Sequence, residues 1–184
     1  EVTSERKALM QTIQQQLAVK DDAVDLAALK AAIDKAVAAV PSGELAAART
    51  KHDTLSRARD SAAATLQQQL QLPAAELDLQ ALRRAIDTAR SVGVAAAEVQ
   101  AGEARLSEVE AQRARALEAV RTLSSPPRLA QIEVGSLRAA VEEAQTVGVP
   151  YSAMSNAAAR LTQAETLARP LLQLLEKEDK AFED

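Results

Sequence analysis

The chain has 184 residues, with 22 basic and 26 acidic side chains for a formal net charge of −4, no Cys, one Phe, one Tyr and no Trp. Its 47% hydrophobic share is mostly Ala, which favours helix and leaves too few β-branched and aromatic residues for a sheet. Without Cys there are no disulfides, thiolate metal sites or cysteine nucleophile, the interspersed charges form no basic stripe, and no apolar run nears the ~20 residues of a membrane span.

Taken in order, the chain reads as short and long helices in alternation. A half-length helix is expected near 3–19, ended by Lys20-Asp21-Asp22, and a short one near 24–40. A long helix near 44–72 stops at Leu72-Pro73-Ala74, followed by a short one near 76–92 and a long one near 94–123. Ser124-Ser125-Pro126-Pro127 leads to a short helix near 130–147 and a last long one near 150–180. Pro41-Ser42-Gly43, Gly93-Val94 and Gly148-Val149-Pro150 each close a short helix, with glycine as the expected left-handed cap. Acids or Ser at the opposite junctions are expected to cap the next helix start. Pro170 lacks an amide donor and is expected to kink or interrupt the last helix.

Three stretches repeat. Asp25-Leu26-Ala27-Ala28-Leu29-Lys30-Ala31-Ala32-Ile33-Asp34 returns as Asp78-Leu79-Gln80-Ala81-Leu82-Arg83-Arg84-Ala85-Ile86-Asp87 and again from Val134 to Glu142. Ile13-Gln14-Gln15-Gln16-Leu17 matches Leu66-Gln67-Gln68-Gln69-Leu70. Aligning like residues along the long helices gives one column of Leu55, Leu106 and Leu161, another of Ala58, Val109 and Ala164, and a third of Leu66, Leu117 and Leu172. A period near 53 residues is the mark of a modular helical array. The expected fold is all-α, with modules at 1–57, 58–108 and 109–184.

Helix lengths constrain topology. A long helix of about 30 residues spans about 45 Å and a short one of about 16 spans about 24 Å. A short helix therefore covers half of the long helix before it and half of the one after it. The expected arrangement is an elongated tandem of three-helix bundles sharing continuous long helices, with an α-solenoid of helical hairpins as the alternative. Long helices running from one bundle into the next resemble spectrin-type rods, at about half their period and without their Trp. The resemblance implies a structural rod.

No residue pattern carries catalysis. His52 is the only histidine and has no Cys or second His to complete a zinc or nucleophile site. Asp21, Asp22 and Asp25 lack the glycine and distal Glu of a calcium loop and read as helix-start acids. Arg105, Arg113, Arg115 and Arg121 are interleaved with Glu103, Glu108, Glu110 and Glu118, which suggests intrahelical ion pairs rather than phosphate contacts. No phosphate loop or nucleophile elbow is present. Catalytic, cofactor and metal residues are expected to be none.

The expected function is thus a non-enzymatic scaffold or spacer segment, and the alternative is a protein- or peptide-binding helical-repeat module. Its partners are expected to be proteins or further copies of itself, not nucleic acid, membrane or small molecule. Candidate contact residues are Tyr151 and Met154 beside the Gly148 turn, and Leu171, Leu174 and Leu175 near the end. The acidic tail from Glu176 reads as solvated. The chain opens at Glu1 rather than Met and its first helix matches half of a long one, so it is expected to continue into a larger protein. Absence of Cys suits a cytosolic or a secreted rod alike.

Overall fold

The computed structural model describes residues 2–38 and 40–182, with side chains for 4–38 and 40–170. Among them are seven α-helices, two short 3₁₀ turns and no strand. The helices are α1 (Val2–Ala18), α2 (Leu26–Ala36), α3 (Ser42–Gln71), α4 (Leu79–Val92), α5 (Ala96–Ser124), α6 (Val134–Thr146) and α7 (Tyr151–Phe182). The 3₁₀ turns, Asp21–Ala23 and Leu129–Gln131, precede α2 and α6. No helix among the described residues is long and apolar enough to cross a membrane.

Side-chain caps set where the short helices begin. Asp25 accepts the Ala28 amide at 2.9 Å, Asp78 that of Gln80 at 2.8 Å and Glu133 that of Ser136 at 2.6 Å. Each satisfies an amide that the first helical turn leaves without a partner. These caps place the helix starts two to four residues later than the apolar pattern suggests. Hydrogen bonds from the Ser136 side chain and amide hold the Glu133 carboxyl below the ordinary carboxylate range.

The helix ends divide into two kinds. Gly93 and Gly148 take φ of 75° and 79°, and the amides of Val94 and Val149 reach back to the carbonyls of Ala89 and Ala144. Both are glycine-closed ends in which the left-handed residue costs nothing sterically. Gly43 is different: it lies inside α3, and α2 has already ended at Ala36. Here Pro41 sits before the first turn of α3, where its missing amide is no loss. Pro170 does not interrupt α7, which continues to Phe182.

The chain divides into two compact units: Glu1–Leu72 with Asp78–Leu106, and Pro73–Leu77 with Ser107–Asp184. In the first unit α2 packs against α1 and α3, and α4 against α3 and the Asp21–Ala23 turn. Its core joins Ile13, Leu29, Ile33, Ala36, Leu45 and Leu55. Farther along, Gly102 of α5 sits so close to Ile86 and Leu66 that a Cβ there would lie 2.9 and 3.0 Å from their side chains. In the second unit α7 packs against α6 and the Leu129–Gln131 turn. Its core joins Ala116 and Val120 of α5, Leu137, Val141 and Ala144 of α6, and Met154 of α7.

The short helices bury matching residues: Leu29, Leu82 and Leu137; Ile33, Ile86 and Val141; Ala36, Ala89 and Ala144. In the long helices Leu55, Val109 and Ala164 are among the buried residues, whereas Leu106, Leu161 and Ala58 are half-buried. Of the column Leu55, Leu106 and Leu161, only Leu55 is buried. A smaller Val or Ala occupies the seam position that Leu55 fills in α3, and Leu106 and Leu161 flank it.

Candidate functional site

The most elaborate polar arrangement is built twice. In the first unit the Arg59 side chain of α3 donates from Nε to the Val92 carbonyl at 2.6 Å. Its Nη2 donates to Asp21 at 3.1 Å and to Val24 at 2.8 Å. In the second unit Arg113 of α5 donates from Nε to Val147 at 2.8 Å and from Nη2 to Ala74 and Leu77, both at 2.7 Å. The acceptors lie 33, 38 and 35 residues from Arg59, and 34, 39 and 36 residues from Arg113.

The chemistry of each site follows from its surroundings. Val92 and Val147 sit at helix ends whose carbonyls have no amide partner within the helix and carry the negative end of the dipole. The planar, permanently charged guanidinium answers several carbonyls at fixed angles, which an ammonium cannot do. Glycine then lets the backbone come close. A Cβ on Gly93 would run into the Asp22 carbonyl oxygen and lie 2.8 Å from Arg59 Nη2. One on Gly148 would lie 2.7 Å from Arg113 Nη2 and 2.8 Å from the Ala74 oxygen.

A second set of cations holds the preceding helix ends. Lys51 donates to the carbonyls of Leu17 at 3.1 Å and Val19 at 2.8 Å, with the Asp21 carboxylate 3.5 Å away. Arg160 donates to the Pro126 carbonyl. The segment from Leu17 to Val24 is thus gripped by two cations that both come from α3.

The two described residues picked from sequence lie in different surroundings. Tyr151 is 64% exposed, but Met154, one turn on, is 1% exposed and belongs to the core of the second unit. The side chains of Leu171, Leu174 and Leu175 lie outside the described residues. His52 Nδ1 is 3.0 Å from Asp53 Oδ1, and no group of three metal-ligating side chains occurs among the described residues. Arg113, expected to pair with glutamates of its own helix, turns instead to main-chain carbonyls. The available signal was two pairs, Arg59 with Arg113 and Gly93 with Gly148, at almost the same separation. A groove of about 380 Å³ between α3 and α4 offers hydroxyls from Ser61, Thr65 and Thr88, with no acid or histidine in its lining to activate them. No family model, curated protein or solved structure matches this chain.

Proposed function

We propose that the chain is a non-enzymatic structural segment, an alanine-rich helical-repeat rod of tandem three-helix bundles serving as a spacer or assembly element. The observation that carries this reading is the duplicated joint, in which Arg59 and Arg113 sit 54 residues apart and Gly93 and Gly148 sit 55 apart. Matching burial of Leu29, Leu82 and Leu137 supports the same period. So does the use of α3, which packs on α2 and also on α4. Long helices shared in this way are what relates the reading to spectrin-type rods. An array held by neighbour contacts sets a length without needing a distant contact, which suits a spacer.

Its partners, in this reading, are other proteins or further copies of the chain. The interspersed charge argues against nucleic acid. Small-angle scattering tests the rod. A compact globule of this length has a radius of gyration near 16 Å; the rod should exceed that clearly, and a value close to it overturns the proposal.

A further inference from the structure

We propose that Arg59 and Arg113 are conformational couplers, each making a connecting turn and the end of a distant short helix open together or not at all. The Arg59 guanidinium bonds the Val92 carbonyl and the Asp21 and Val24 carbonyls at once, across separations of 33, 38 and 35 residues. Arg113 does the same for Val147, Ala74 and Leu77. Helix ends and turns are ordinarily the first parts of a fold to open, each on its own. A charged donor shared between two such segments removes that independence. When either one leaves, the guanidinium loses bonds and part-buried carbonyls of the other lose their donor. The Gly93 backbone, seated against the Asp22 carbonyl and Arg59, closes the same contact from the other side.

The chain carries its own comparison. Arg6 stands 53 residues before Arg59, yet it pairs with the Glu44 carboxylate at 3.1 Å on an exposed surface. The end of α2, closed by Val37 and Val40 amides bonded to Ile33 and Ala36, has no glycine. Ala168, 55 residues after Arg113, has no side-chain donor. The end of α2, which lacks the glycine, serves as the reference. The coupling is local to each unit and holds whether or not the chain is a rod.

Hydrogen exchange resolved by residue tests it, on the full chain and on Arg59→Met and Arg59→Lys. In the unaltered protein the amides of Ala23 and Asp25 should share one opening free energy and one denaturant slope with those of Gly93 and Val94. The Val37 and Val40 amides should exchange faster. In Arg59→Met, exchange should rise about tenfold or more at both segments together while Gly148 and Val149 stay unchanged. Lysine should restore only part of the protection. Acceleration at one segment alone, or spread evenly through Leu29 and Ile33, overturns the proposal. So do separate opening energies in the unaltered chain, a measurement that needs no variant to fold.

Discussion

Glycine has opposite meanings at two positions that look alike in sequence. Gly93 carries φ of 75° and has no room for a methyl group between the Asp22 carbonyl and Arg59. Gly43 lies near the start of α3 with nothing within 4 Å of an added Cβ. Gly93→Ala should therefore lower stability by about 1–3 kcal/mol, the usual range for a residue forced into the left-handed region. Gly43→Ala should raise stability by about 0.4–1 kcal/mol by restricting the unfolded chain. Urea midpoints of the two variants check this, and a shift of the same sign in both would contradict it. Tyr151 and Met154 teach the same point. Three residues apart at the start of one helix, they part company because only Met154 falls on the face that meets α6.

Among the elements, the short helices carry the densest burial. Leu82 of α4 is fully buried, whereas Leu106 is only half-buried on α5. Leu82→Ala should cost about 2–5 kcal/mol and Leu106→Ala less than half as much. Denaturant unfolding compares them; equal losses would mean that Leu106 is as much a core residue as Leu82. Most of this layer is legible in the sequence, because Gly, Pro and capping acids punctuate helices locally and the Leu82-Ile86-Ala89 spacing fixes a face. The seam of the long helices is not. Matching leucine to leucine pairs Leu55 with Leu106, while the helix that must fit against Ala-rich neighbours puts Val109 and Ala164 at that depth. Residue volume is traded between seam positions, so similarity of type misleads there.

For the molecule as a whole, polar organisation lies outside the apolar seams. No charged or polar residue is buried among the described residues, and ion pairs such as Arg6–Glu44, Lys30–Asp34 and Arg138–Glu165 are exposed to solvent. Exposed pairs contribute about 0–1 kcal/mol each and weaken with salt. Thermal unfolding should accordingly shift little between low and high salt, apart from any strengthening of apolar burial by the salt itself. A large fall in midpoint on adding sodium chloride would show that the ion pairs hold the fold. The arginine joints should resist salt better than these pairs, since their acceptors are neutral carbonyls, most of them in part-buried positions. Those acceptors are also why the joints escape a reading of sequence: a main-chain carbonyl is present at every residue and leaves no mark of its use.

The exposure of Tyr151 has a spectroscopic consequence. It is the chain's single tyrosine, there is no tryptophan, and its ring already stands largely in water in the folded state. Its emission should barely register loss of the cores while far-ultraviolet ellipticity collapses. The same ring is then a local reporter, because a change in its collisional quenching marks a change in exposure at the first turn of α7.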